Sequence, residues 1–233
     1  MQTTSALYQS ILSNGSHWYE TRLVIDGVGT YDEHQLFSVS TNIEMFHGTP
    51  AVGSAVAQEI NVEMLLPNEA IPAMAVLRPQ VRICDATRRS EWLPQGVFYI
   101  DTRERSKNDN GLDVLTIHGY DAMLKADQYF SSTTITGNST DKQMVAAIAS
   151  QMGISVDERT YPLMTHSYTV PLPTGYTCRE VLGYIAAMYA GCFIISDAGK
   201  LRLVSMTDMP EETNYLIDNS GDAITFGGDR ILV

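Results

Sequence analysis

Hydrophobic and polar positions alternate with a period of two through most of the first half of the chain, and with a helical period in much of the second. The cleanest alternation is Glu59-Ile-Asn-Val-Glu-Met-Leu65, which sets Ile60, Val62 and Met64 on one buried face of a strand. Before it, Arg22 to Asp26 runs into the turn Gly27-Val-Gly29, and Phe37, Val39, Thr41, Ile43 and Met45 alternate with polar neighbours. After it, Val81-Arg-Ile83 is β-rich, and Pro67, Pro72 and Pro79 are read as lying between strands, where a missing N–H matters least. Val97 to Arg103 and Leu112 to His118 form a hairpin reversed by the polar turn Ser106 to Gly111. Gly119-Tyr-Asp121 then breaks the second strand into a short helix, Ala122 to Ala126. Roughly six to eight short strands at this spacing predict a small antiparallel barrel or sandwich over residues 22–119. Its expected core includes Ile60, Val62, Met64, Phe98, Ile100, Val114 and Ile117.

Helical spacing first occurs at Ser5 to Ser13, with Leu7, Ile11 and Leu12 on one side and Asn14-Gly15 as the stop. That side is a candidate assembly interface, competing with simple packing on the helix's own barrel. Past the polar connector Ser131 to Ser139, two helices with related text follow: Thr140 to Met152, stopped at Gly153, and Thr177 to Tyr189, stopped near Gly191. Aligning Thr140 on Thr177 matches Lys142 with Arg179, Val145 with Leu182, Ile148 with Ile185 and Ala149 with Ala186. This predicts a helix-plus-strand pseudo-repeat, its four aliphatic residues buried and Lys142 and Arg179 exposed in the first turns. Cys192 to Ile195 and Lys200 to Val204 close the region as a hairpin around Asp197-Ala-Gly199. The final stretch carries the turn Asp218 to Gly221 and the strand-like Ala223-Ile-Thr-Phe226. Ending on the apolar Ile231-Leu-Val233, the chain reads as part of a longer protein. The expected class is α+β, mainly β. An N-terminal arm (1–18) precedes a β-barrel (19–126), an α+β region with the repeated helices (127–205) and the start of a second barrel (206–233).

The hairpin text Gly96-Val-Phe-Tyr-Ile-Asp-Thr-Arg-Glu104, continued by Gly111-Leu-Asp-Val-Leu-Thr-Ile-His-Gly-Tyr-Asp-Ala-Met-Leu-Lys-Ala126, resembles the first domain of prophage tail proteins from low-GC Gram-positive bacteria. These are similar to the N-terminal part of the siphophage tail-associated protein and to the central baseplate hub of contractile tails. Tyr19 to Gly27, Val52-Gly-Ser54, Ala57 to Met64 and Ile71 to Met74 follow in the order such proteins show, so the resemblance spans most of Ser5 to Val233. It implies a structural virion protein of the tail tip or baseplate. Three subunits would each contribute two related barrels to a ring matched to the tail tube. The distal tail protein or tube would lie above, and a tip, spike or fibre below. The protein would be made and assembled in the bacterial host cytoplasm. Two alternatives stand beside it: the N-terminal anchor of a tail-associated cell-wall hydrolase, and a bacterial polysaccharide-binding module.

Composition changes this picture little. A formal net charge of −12, from 15 basic and 27 acidic residues, argues against a nucleic-acid partner, which needs a basic surface. Cys84, Cys178 and Cys192 are an odd set with no C-x-x-C pair, as expected of buried free thiols. The opening residues Met1 to Tyr8 lack the pattern of a secretory signal. The apolar run Val181 to Ile195 falls short of the about 18–20 residues that span a bilayer, so no membrane anchor is expected. Ser139-Thr-Asp-Lys142 matches the S-x-x-K acylating pair of penicillin-recognising enzymes, but K-T-G and S-D-N are absent, and the residues read as a helix cap. His17, His34, His47, His118 and His166 are scattered without metal-ligand spacing, and Gly27-Val-Gly29 does not complete a dinucleotide-binding fingerprint. No carboxylate pair stands out for glycoside hydrolysis, Glu211-Glu212 reading as a solvated loop. No catalytic residue, metal or cofactor is expected.

Overall fold

The structure, a computed structural model, describes residues 4–44, 52–132 and 134–206, with the backbone of two short strands beyond them. Helix α1 (Ala6–Leu12) is capped by Ser5, whose hydroxyl accepts from the Tyr8 N–H. Then come β1 (Trp18–Ile25), β2 (Gly29–Asp32), β3 (Leu36–Ile43), the two-residue β4 (Ser54–Ala55), β5 (Gln58–Leu65), β6 (Val76–Cys84), β7 (Leu93–Pro94), β8 (Phe98–Lys107) and β9 (Asp113–Asp121). All but β4 make one antiparallel sheet in the order β2-β1-β6-β8-β9-β5-β3, with β7 added on β6.

The two edge strands, β2 and β3, are joined by residues 33–35 alone, a link that reaches about 13 Å at most. The sheet is therefore rolled until its edges meet at that corner, although no β2–β3 ladder forms among the described residues. Inside the roll sit Leu23, Ile25, Ile60, Val62, Met64, Leu77, Phe98, Ile100, Leu115 and Ile117, and Val114 is buried too. Six of the seven core residues expected from the alternation lie in the roll; Val114 is buried outside that cluster, and Leu115 takes the inward place on β9.

Three local expectations are corrected. Pro79 lies within β6, opposite Leu23 of β1. Its carbonyl accepts from the Gln95 N–H, on the side where the β6 ladder breaks between β8 and β7, so the missing N–H removes no rung. Phe37 points outward and is half exposed, because a bulge between Leu36 and Ser38 takes one residue out of the alternation and leaves Leu36 and Val39 against the core. Gly119 does not end the second hairpin strand. It pairs with Ile60 and Ile100, where a Cβ would meet the Tyr99 carbonyl oxygen at 2.4 Å. Met45, His47 and the terminal segment, including Glu211-Glu212, fall outside the described residues. Of the expected second-barrel start, only the antiparallel pairing of β14 (Thr225–Phe226) with β15 (Asp229–Arg230) is described.

A 3-10 turn (Ala122–Asp127) leads into the second layer: β10 (Ser139–Thr140), α2 (Asp141–Met152), α3 (Thr160–Leu163), β11 (Thr169–Val170), α4 (Cys178–Met188), β12 (Gly191–Ile195) and β13 (Leu201–Ser205). Its core holds Val145, Ile148, Leu182, Ile185, Phe193, Leu201 and Leu203, together with Ala55, Ala122, Met123 and Ala126. The crossover between β3 and β5 thus leaves the rolled sheet, and β4 lies parallel to β12 in this second layer. Gly53 and Gly183 make the approach possible, since a Cβ on Gly183 would stand 2.8 Å from the Gly53 carbonyl oxygen.

The two related helices share a capping box. Thr140 Oγ1 accepts from the Gln143 N–H and Gln143 returns the bond to the Thr140 N–H; Thr177 and Glu180 do the same. The repeat stops there. After α2 the chain makes a single parallel bridge from Val156 to Leu201 and turns into α3, whereas α4 runs straight into β12. The cap also separates two sequence readings of Ser139-Thr-Asp-Lys142. Thr140→Ala should lower stability by about 1 kcal/mol and Lys142→Ala by less than about 0.5 kcal/mol in urea unfolding. Equal effects would remove the capping argument.

Candidate assembly surfaces

Chemistry is sparse. Ser139 Oγ is buried and makes no hydrogen bond among the described residues, so Lys142 does not activate it and the S-x-x-K pair is not assembled. No three His, Cys, Asp or Glu side chains among the described residues are placed to hold a metal. His118, distant from any acid pair in sequence, lies 3.9 Å from both Glu59 and Asp101, across the sheet surface. Those separations exceed hydrogen-bond length and the group is open to solvent. Cys84, Cys178 and Cys192 are buried and form no disulfide, and burial pushes the Cys178 thiol up to about 11. No helix among the described residues is long and apolar enough to cross a membrane.

What remains is surface. Helix α1 packs on β6 through Ile11, which is fully buried, while Leu7 and Leu12 stay 38% and 46% exposed. Ile11 is therefore core, and only Leu7 and Leu12 of the expected trio are open to a partner. The helix is pinned at its start by Glu91, which accepts from the Ser5 N–H at 2.8 Å and hydroxyl at 2.6 Å, and along its length by an Arg88–Ser10 contact. These bonds hold the Glu91 carboxyl below the usual range. Exposed Tyr19 of β1 meets Tyr8 of the helix, and exposed Trp18 lies on the opposite, outer face of the strand. Beside it, both Arg22 and Arg82 lie 4.3 Å from the centre of the Trp92 ring, and Arg82 is further paired with Glu20. This stack fixes the outer face of β1 and β6 rather than opening a site.

A second surface was not legible as a site from the residues alone. The loop Pro171-Leu-Pro-Thr-Gly-Tyr176 folds against α4 and leaves an apolar groove of about 310 Å³, floored by Val181 and Ile185 and walled by Leu172, Tyr176, Tyr184 and Met188. Tyr176 and Tyr184 meet edge to face, 5.8 Å between ring centres. Tyr184 is 62% exposed, and Tyr129, tethered alongside by its bridge to Thr177, is 70% exposed. The signal that could have found it was the helical spacing of Val181, Tyr184, Ile185 and Met188, which by itself reads as a core-facing stripe.

The two layers are locked by α4. Arg179, expected at an exposed first-turn position, instead reaches Asp127 at 2.5 Å, the Ala55 carbonyl at 2.6 Å and the Met123 carbonyl at 3.0 Å. Asp121, at the end of β9, accepts from the Gln58 and Met123 N–H groups. Burial pushes its carboxyl up to about 6, against the pull of those donors and of Arg179.

No protein-family model matches the chain, and no curated protein matches it. Solved structures do share its fold. Similar ones include the 43 kDa tail protein of prophage MuSo2 from Shewanella oneidensis, at TM-score 0.54 and 15% identity over 80% of this chain. A tail protein from Neisseria meningitidis MC58 is similar at TM-score 0.51 and 11% identity over 88% of this chain. The chain spans about half the length of each, 53% and 54%. The resemblance to prophage tail proteins drawn from the hairpin text thus extends to the three-dimensional fold.

Proposed function

We infer that the chain is a structural component of a phage-type tail, acting at the tail tip or baseplate as a hub that adapts the tube to a tip or spike. The observation that carries this reading is the fold shared over most of the chain with two tail proteins, one of them from a prophage. Two surfaces rich in exposed apolar side chains supply places for tail partners. In this reading the hub closes a ring around a channel, as a trimer if it follows the proteins the hairpin text resembles, and its partners are the distal tail protein or tube and the spike or fibre. Light scattering of the protein at tens of micromolar, with negative-stain microscopy, tests the assignment. A trimer mass and ring-shaped particles are expected; a strict monomer, with and without tail-tube protein, would overturn it.

A further inference from the structure

Past Ile100, strand β8 runs on beyond its pairing with β6, and the loop between β5 and β6 lies beside it instead. Arg103 donates to the Ile71 carbonyl of that loop. Arg103 and Arg105 stand opposite Ile117 and Leu115 of β9, and directly paired residues share a face of the sheet. Ile117 and Leu115 belong to the core of the roll, so both arginines sit on its inner face, at one end. A cavity of about 460 Å³ lies there between the loop and β8. Leu66, Ile71 and Leu115 give it an apolar wall, and Glu69, Arg103 and Arg105 are its charged residues. Such a volume falls within the range of about 300–1,000 Å³ typical of small-ligand sites, which favour the mouths of β-barrels. Both arginines are exposed, so a ligand can reach them.

The charged groups of this cavity are unequally engaged. Glu69 accepts from the Tyr31 hydroxyl, and Arg103 gives one N–H to Ile71. The Arg105 side chain makes no hydrogen bond or ion pair among the described residues, on a chain with 27 acidic residues against 15 basic ones. We propose that the cavity binds a carboxylate carried on an apolar body. The Arg105 guanidinium, with the remaining donors of Arg103, takes the carboxylate through a planar fork, and Leu66, Ile71 and Leu115 take the body. Two arginines less one glutamate leave the lining with one net positive charge, which matches a monoanion. A polyanion would meet the repulsion of a chain carrying −12. A free short-chain acid and the C-terminal residue of a partner polypeptide offer the same chemistry. The site does not depend on the self-association of the proposed hub.

Isothermal titration calorimetry on the full chain tests the site with hexanoate, hexanol, inorganic phosphate, and N-acetyl-dileucine as free acid and as amide. Hexanoate or the free-acid dipeptide should bind saturably, and the tighter of the two tells a small acid from a chain terminus. Hexanol and the amide should bind at least about tenfold more weakly, the loss expected for a charge-assisted contact. Arg105→Met keeps the aliphatic stem and breaks no side-chain bond, so urea unfolding should be unchanged while hexanoate binding weakens at least about tenfold. Ala70→Glu, which sets a carboxylate on the exposed rim of the lining, should weaken it likewise. No saturable binding of either acid, hexanol binding as well as hexanoate, phosphate binding more tightly, or binding indifferent to both substitutions would each overturn the site. A strictly monomeric chain that binds hexanoate would overturn the hub alone.

Discussion

Arg179→Met should uncouple the two layers of the molecule at a cost of about 2–4 kcal/mol. The guanidinium bonds two backbone carbonyls, Ala55 from the crossover strand β4 and Met123 from the turn after β9, and pairs with Asp127. Methionine keeps the aliphatic stem but leaves both carbonyls without a donor in a region too enclosed for easy hydration. Asp127, more than half exposed, can be resolvated and contributes less. Trp18 and Trp92, the chain's two tryptophans, both lie in the rolled-sheet part, so fluorescence reports that part while far-ultraviolet circular dichroism reports α2 and α4. In wild type the two signals should unfold together in urea. In Arg179→Met the helical signal should be lost first, breaking the single transition into two. Arg179→Lys should recover less than half of the loss, since one ammonium cannot reach both carbonyls and the carboxylate with a planar fork. Coincident transitions within about 0.5 kcal/mol of wild type would show that the junction is held by apolar packing alone.

The sheet was the most legible part of the fold, because one buried face imposes a strict period of two. Ile60, Val62 and Met64 could be assigned from seven residues of text, and all are buried. Reading failed where backbone geometry overrides that period. The bulge before Ser38 reverses the side on which Phe37 lies, and Pro79 is tolerated inside β6 only because two neighbouring strands take turns along it. Neither fact is encoded in the residue itself; both depend on which strand is the neighbour. The crossover to β4 is of the same kind. Gly53 and Gly183 stand far apart in sequence, and only their contact explains why both are glycine.

The candidate surfaces were partly legible for a related reason. An amphipathic helix shows which residues share a side, but not how much of that side its own domain covers. In α1 the shared side divides, with Ile11 sunk onto β6 and Leu7 and Leu12 left open. In α4 the apolar residues go nearly all round: Leu182, Ile185 and Ala186 face the core, and Tyr184 and Met188 face the groove. Such a helix reads as fully buried, and the exposure of Tyr184 emerges only once the Pro171–Tyr176 loop is placed. Arg179 shows the converse. A first-turn arginine reads as solvent-facing, yet three acceptors from distant segments converge on it.

Stability should fall as pH rises from about 4 to about 6, by about 2 kcal/mol attributable to Asp121. Its carboxyl is raised from an ordinary 3.8 to about 6, first by burial and against the opposing pull of two N–H groups and Arg179. A group raised in the folded state favours folding fully below its unfolded pKa, near 4, and that contribution is gone once pH passes the folded value. The depressed carboxyls act in a different window. Asp85 and Asp157, held down chiefly by Arg88 and Arg159, contribute stability above about pH 4 and lose it as pH falls further. Glu20 and Glu91, lowered from 4.5 chiefly by Arg82 and Ser5, act in the same sense up to about pH 5, so above about pH 5 the falling slope belongs chiefly to Asp121. The overall acidic charge adds repulsion of the same sign as pH rises, so the variant rather than the wild-type slope is decisive. Asp121→Asn removes the titration while retaining one acceptor oxygen. It should be less stable than wild type at pH 4.5, where one backbone N–H now faces an amide nitrogen, yet lose markedly less stability on going to pH 6.5. Urea midpoints at the two pH values give the comparison, and equal slopes for wild type and Asp121→Asn would show that Asp121 is already ionised at pH 4.5, held so by its two N–H donors and Arg179.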